Sequence, residues 1–421
     1  MHRIIAAFLA AASCVAISQA QDNIAAGQPA HAAFTLDQAV AIAGGSAPAA
    51  DAAQAGIEAA QAARTVAGLR PNPQLQSQVE NVIGTGPYSG VRQAETTVGL
   101  NIPIELGGKR SARIAIADAQ SNRAAIVAAI TQADIRLQVT ALYIDAVAAE
   151  RRVMTARDQF RIAKDALDAA KIRVQAGRAS PLEEQRADVT KLNAEAEVQR
   201  TQRLAEAVRA NLERRIGQPI AGALDVSALD HLPPAAYGPT MVASTGTLAL
   251  AAADADLAIA DAGVRLARSQ RIPDVTVGPA VRRLSATNDT AAILSVSIPI
   301  PLFNSGRAAV AQASAQRSQA EAQRRMTVLD IDQAITDAQA EADNAATAAR
   351  NASGPALAAA QEAARIARIG YREGKFGQLD LLDAERTLSQ TRLAAIDALA
   401  SYQNARARLE RLIAPAPVQG N

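Results

Sequence analysis

The chain has 421 residues, 43 of them basic and 41 acidic, for a formal net charge of +2. No block of like charge stands out, so there is no electrostatic footprint for a nucleic acid partner. With no Trp, 2% aromatic residues, one Cys and three scattered His, the chain lacks the large rings of a broad compact core. It also lacks a disulfide framework and any constellation with metal-ligand spacing. Nothing resembles an active-site cluster, and neither a metal site nor a cofactor is expected.

The N-terminus reads as an export signal. Met1-His2-Arg3 is a short basic start, Ile4 to Ile17 is mostly apolar, and Ser18-Gln19-Ala20 fits the small-x-small rule for cleavage before Gln21. Ala12-Ser13-Cys14 also resembles a lipoprotein cleavage site, which leaves lipidation of Cys14 as the alternative to a signal peptide spanning 1–20. Beyond this leader and a segment at 21–35, no apolar run approaches the roughly 20 residues of a membrane helix. A chain of this kind crosses a membrane only as a closed β-barrel.

The rest is a duplicated unit with a period of about 200 residues, too long for a solenoid. Leu69-Arg70-Pro71-Asn72-Pro73 reappears as Gln270-Arg271-Ile272-Pro273, and Asn101-Ile102-Pro103-Ile104-Glu105-Leu106 as Ser297-Ile298-Pro299-Ile300-Pro301-Leu302. Ala176-Gly177-Arg178 matches Glu373-Gly374-Lys375, and Leu212-Glu213-Arg214 matches Leu409-Glu410-Arg411. The first repeat, 36–219, reads as a helix, a β-hairpin over 71–106, a long helix over 109–175 and a helix over 181–217. A linker at 220–246 comes next. The second repeat, 247–414, reads as a helix, a hairpin over 272–303, a long helix over 307–373 and a helix over 378–413, before a tail at 415–421. A break is expected near Gly44-Gly45 and Pro48, and a kink at Gly354-Pro355.

The strands alternate. Val98, Leu100, Ile102, Ile104 and Leu106 face one way, and Thr97, Gly99, Asn101 and Glu105 the other. Such a period fits either a soluble sheet on its own core or a membrane barrel with apolar residues outward. The helices favour the barrel. Lys109 to Gln175 runs without Pro or Gly for about 67 residues, roughly 100 Å, with Ile126, Ile130, Ala133, Leu137, Ala141 and Ile144 in a coiled-coil stripe. The two shorter helices of the repeat add up to roughly the same length, as a continuous helical tube beneath the hairpins requires. Four strands cannot close a membrane barrel, so the barrel must be shared between subunits.

At this point the residues resemble a TolC-type outer-membrane efflux protein, most similar to the CzcC-like outer-membrane components of cobalt–zinc–cadmium exporters. The motifs that carry this are Leu69 to Pro73, Val79-Glu80-Asn81 with Gly84-Thr85-Gly86-Pro87-Tyr88, and Pro103-Ile104-Glu105-Leu106-Gly107-Gly108-Lys109-Arg110. In the second half they are Gln270-Arg271-Ile272-Pro273-Asp274-Val275 and Ile298-Pro299-Ile300-Pro301-Leu302-Phe303-Asn304. The resemblance covers about Thr35 to Ile413. It implies a mainly α protein with a membrane β-barrel part, in which three copies supply four strands each to a 12-stranded barrel. It also implies a periplasmic α-barrel, an outer-membrane location, a periplasmic adaptor, an inner-membrane pump of the RND class, and export of heavy-metal cations. Drug or solvent efflux and type I secretion use the same fold. A periplasmic coiled-coil adaptor is the reading from another class, but it has no need of two duplicated hairpins.

The resemblance also assigns candidate site residues. Leu379-Asp380-Leu381-Leu382-Asp383 is similar to an Asp-x-x-Asp motif whose carboxylates ring the periplasmic entrance, and a spacing of three puts Asp380 and Asp383 on one helix face. Tyr371 and Glu183 match residues that hold this aperture shut. The basic partner after the second tip is replaced by Phe376, with Lys375 beside it as the candidate substitute. Gly177, Arg178, Gly374 and Lys375 form the helix-tip turns, expected to meet the adaptor or pump.

Overall fold

The computed structural model describes residues 33–233 and 244–417, so the leader and Cys14 lie outside the described residues. The elements in chain order begin with α1 (Leu36–Ser46), α2 (Pro48–Ala67), β1 (Gln74–Glu80) and β2 (Glu95–Ile104). The long α3 (Lys109–Gln175) and its return helix α4 (Pro181–Ile216) complete the first half. The second half has α5 (Leu248–Ser269), β3 (Val275–Leu284), β4 (Asp289–Ser297), α6 (Arg307–Asn351), α7 (Leu357–Arg372) and α8 (Gln378–Leu412).

Local sequence explains the punctuation. Thr35 caps α1 reciprocally with Gln38: the Gln38 N–H donates to Thr35 Oγ1 at 3.3 Å, and the Thr35 N–H donates to Gln38 Oε1 at 3.0 Å. The chain leaves α1 in an extended conformation at Ala47, and Pro48 opens α2. Between α6 and α7 the helix does not stop at Pro355. It widens into one π turn over Ala352–Ala356, which absorbs the N–H that proline lacks.

The sheet is antiparallel in the order β1-β2-β3-β4. Register places Leu75 opposite Leu100, Ile102 opposite Val277, and Val277 opposite Val296. Along β2 the apolar residues are the exposed ones: Val98, Leu100, Ile102 and Ile104 are exposed while Thr97, Gly99 and Asn101 are partly covered. A soluble sheet would show the opposite pattern. β4 ends at Ser297, short of the expected 303, because Ser297 pairs with Thr276 and β3 begins at Val275.

The main core sits at mid-height of the helical body. Ile135, Val139, Tyr143 and Val147 of α3 pack there with Leu212 and Ile216 of α4, Leu399 and Tyr402 of α8, and Ala39 and Ala43 of α1. Small Ala faces let these helices approach closely. Tyr143 is fully buried; its hydroxyl donates to the Phe34 carbonyl at 2.7 Å and accepts from the Asp225 N–H at 3.1 Å, and burial pushes it up to about 12. One stretch of α3 is apolar and long enough, by composition, to cross a membrane, contrary to the expectation that no such run lies beyond the leader. It belongs to a 67-residue helix that packs along α1, α2, α4, α5 and α8, so the Ala-rich run serves a helical wall.

Where sheet meets helix, polar residues lock the angle. Lys109 Nζ and the Leu106 N–H both donate to Asp274 Oδ1, at 2.6 and 3.0 Å. Arg113 pairs with Glu105 and donates to the Leu69 carbonyl at 3.2 Å.

Candidate functional site

The two helical hairpins turn in the same way. At the first tip the Arg178 N–H donates to the Arg173 carbonyl at 2.8 Å and the Gly177 N–H to that of Val174 at 3.0 Å. At the second tip the Lys375 N–H donates to the Gly370 carbonyl at 2.8 Å and the Gly374 N–H to that of Tyr371 at 3.1 Å. Each is the double bond of a Schellman cap, which needs a left-handed residue at its centre. Gly177 and Gly374 supply it, with φ of 67° and 75°.

Each cap sets where the returning helix can start. Ser180 accepts from the Leu182 N–H at 3.3 Å and Pro181 opens α4, which leaves Glu183 in the first turn. There Tyr371 Oη donates to Glu183 Oε1 at 2.8 Å, joining the end of α7 to the start of α4. Tyr371 is 6% exposed, packed with Ala367 and Leu381. Burial, then its contact with the Glu183 carboxylate, pushes its hydroxyl up to about 12.

The cation of this contact is Arg173. Its guanidinium stacks over the Tyr371 ring at 4.8 Å from the centroid, and its Nε lies 3.7 Å from Glu183 Oε1. Lys375, the candidate from sequence, instead pairs with Glu373 at 2.6 Å on the exposed turn. Arg173 sits one turn before the first tip, within reach of α7. Phe376 lies over Gly370 so closely that an added Cβ would come within 2.2 Å of the ring, so it packs rather than pairs.

Asp380 and Asp383 are both exposed. Asp380 Oδ2 accepts the Gly377 N–H at 2.9 Å, as an acid at a helix start does. Asp380 and Glu183 occupy equivalent places in the two repeats, six residues beyond Gly374 and Gly177. One turns in to Tyr371 while the other caps its own helix. Just inside, Glu385 is 5% exposed and paired with Arg368, whose Nη2 donates to Oε2 at 2.8 Å. That bond holds Arg368 above the ordinary arginine range. A cleft of about 580 Å³ borders Glu385, lined by α3, α4 and α8.

A second polar group lies on the less exposed face of the sheet. Arg282 donates to Glu95 Oε2 at 2.7 Å and Thr97 Oγ1 at 3.0 Å, and lies 3.2 Å from Glu80 Oε2. Glu80 and Glu95 are direct cross-strand partners, a like-charge pair that Arg282 relieves. Lower on the same face, Asn101 Nδ2 donates to Gln76 Oε1 at 2.7 Å. Sequence reading missed Arg173 and Arg282. Arg173 looks like an ordinary last-turn cation, and Arg282 gains meaning only from the strand register. Among the described residues no group of His, Cys, Asp or Glu could hold a metal ion.

Helices of this length, and a sheet whose second strand exposes its apolar side chains, describe a wall rather than an enclosed pocket. The family model described as outer membrane efflux protein matches residues 39–218 and 243–414, and the chain belongs to that family. It is 30% identical over 383 residues, 90% of each chain, to the cobalt-zinc-cadmium resistance protein CzcC of Cupriavidus metallidurans. It is also 30% identical to the nickel and cobalt resistance protein CnrC of the same organism, over 69% of each chain. The fold is shared with the outer membrane protein VceC of Vibrio cholerae, at a TM-score of 0.71 and 19% identity, covering 90% of this chain and 96% of that one. The protein is therefore an outer-membrane efflux channel with a periplasmic helical body, and not an enzyme.

Proposed function

We propose that three copies of this chain form the outer-membrane conduit of a tripartite exporter, joined to a periplasmic adaptor and an RND-type inner-membrane pump, and that the cargo is heavy-metal cations. The observation that carries the cargo is the 30% identity, over 90% of both chains, to a protein named for cobalt, zinc and cadmium resistance. The chemistry of the chain is compatible with it. A conduit that held transition metals tightly would retain its cargo, and the predicted path offers exposed carboxylates in place of soft ligands.

In this reading the four strands of each subunit contribute to a 12-stranded barrel, and the tips at Gly177 and Gly374 face the adaptor. Asp380 and Asp383, brought together three-fold, form a cation-favouring ring, and the contact of Tyr371, Glu183 and Arg173 holds the aperture closed at rest. The leader residues 1–20, or lipidation at Cys14, direct the chain to its membrane.

Growth of a deletion strain tests the cargo. Loss of the gene should lower tolerance to cobalt, zinc and cadmium salts and leave tolerance to dyes and detergents unchanged, with restoration by the intact gene. Sensitivity to dyes with metal tolerance intact would assign the conduit to drug efflux.

A further inference from the structure

We propose that the barrel closes through one defined strand register between neighbouring subunits, set by the internal duplication. Ser295 lies opposite the partner subunit's Glu80, Ile298 opposite the partner subunit's Ser77, and Ile300 opposite the partner subunit's Leu75. The inference rests on the trimeric reading above and adds the residue pairs.

The sheet order leaves β1 and β4 as its two edges. β4 repeats β2, as Ser297-Ile298-Pro299-Ile300 repeats Asn101-Ile102-Pro103-Ile104. β1 repeats β3, as Pro73-Gln74-Leu75 stands where Pro273-Asp274-Val275 stands. The ladder between β2 and β3 is thus a junction between two repeats within one chain. The junction between the second repeat of one copy and the first of the next must be its counterpart. In the observed ladder Ile104 pairs with Val275, Ile102 with Val277 and Gly99 with Ala280. Carried onto their counterparts, these become Ile300 with Leu75, Ile298 with Ser77 and Ser295 with Glu80.

Three features of the chain agree with this register. The exposed apolar faces continue across the seam, with Ile298, Ile300 and Val296 on the side of Leu75 and Val79. Ser295 and Ser297 meet Glu80 and Gln78 on the other side, as polar lumen residues should. Pro299 takes the place of Pro103, which already sits in the observed ladder opposite Thr276, so a residue without an N–H is accommodated there. The register also accounts for Ile298 and Ile300. They are 55% and 78% exposed beyond the end of β4, where the observed ladder with β3 has stopped at Thr276 and Ser297. A second copy supplies a partner there and lengthens β4 to Ile300.

Slipping the seam by two residues keeps every side chain on its face, so hydrophobicity alone cannot choose. Cysteine pairs can. Chains carrying Ile298→Cys with Ser77→Cys, with Leu75→Cys, or with Val79→Cys are oxidised in membranes and run on non-reducing gels. The unsubstituted chain, whose single cysteine is Cys14, serves as the blank. Cross-strand thiols bond readily only when directly opposite. The Ser77→Cys pair should convert most of the chain to a covalent trimer that reductant reverses, and the other two should give at most a minor band. Stronger bonding with Leu75→Cys or Val79→Cys would overturn the register while leaving the trimer in place. Unheated samples that run as trimers but never cross-link would overturn the seam itself. Unsubstituted chain that runs as a monomer in membranes would overturn the trimeric reading. Should Ile298→Cys block insertion, Ser297→Cys with Gln78→Cys repeats the test from the lumen side.

Discussion

Tyr371 joins the two helical hairpins through one hydroxyl, and its environment dictates when that contact can fail. Its donor proton is held to about 12, above the ordinary tyrosine value of 10, by burial and by Glu183. The neutral form is the stabilised one, so the contact is fully present below about pH 10 and is lost as pH rises through about 12. Resting conductance should therefore be flat with respect to this group between about pH 6 and about pH 9. Tyr371→Phe removes a hydrogen bond to a charged acceptor, worth about 1.5–3 kcal/mol, and should raise single-channel conductance with cation preference retained. Replacing Asp380 and Asp383 together by Ala should do the reverse, lowering cation preference in a salt-gradient reversal potential while the closed state persists. Unchanged selectivity would move the ring elsewhere. At the other end, Arg282→Gln leaves the facing pair Glu80 and Glu95 without a counter-charge. That variant should shift the reversal potential further toward cations.

Strands and helices answer to different solvents. Leu100→Arg puts a charge on the outward apolar face and should weaken membrane assembly by about 2–4 kcal/mol, while Asn101→Arg on the polar face should be mild. Assembly is read from heat-resistant trimer on gels, and equal tolerance at both positions would contradict the orientation of the sheet. In the helical body, Arg368→Met strands the carboxylate of Glu385, which is 5% exposed, and should cost about 3–5 kcal/mol. Adding Glu385→Leu should recover most of that loss in thermal unfolding of the detergent-solubilised protein. These elements are legible in the sequence where period and punctuation agree: the uninterrupted α3, the glycine tips, and the alternation of Val98, Leu100 and Ile102. Periodicity leaves open which face of the sheet meets solvent, and the exposed apolar residues of β2 answer it. The end of β4 is not legible, because alternation continues through Ile300 while pairing stops at Ser297. The role of Arg173 is hidden because it depends on how two distant helix ends meet, which no local pattern records.

Across the whole molecule, duplication reconciles a short sheet with a very long helical body. Each half supplies a hairpin and a returning helical pair, and the halves meet along α3 and α8 and between β2 and β3. In the proposed trimer, the same arrangement repeated between copies would produce a closed wall without a new kind of contact. The chain alone, on this view, builds a gated conduit across the outer membrane. Planar-bilayer recording of the purified protein tests this most directly, comparing the unsubstituted chain with one carrying Tyr371→Phe and Glu183→Gln. The unsubstituted chain should give discrete, cation-preferring events of low conductance, and removal of the latch should give larger events of the same selectivity. Protein that stays out of the bilayer, or a latch variant with the conductance of the unsubstituted chain, would contradict it.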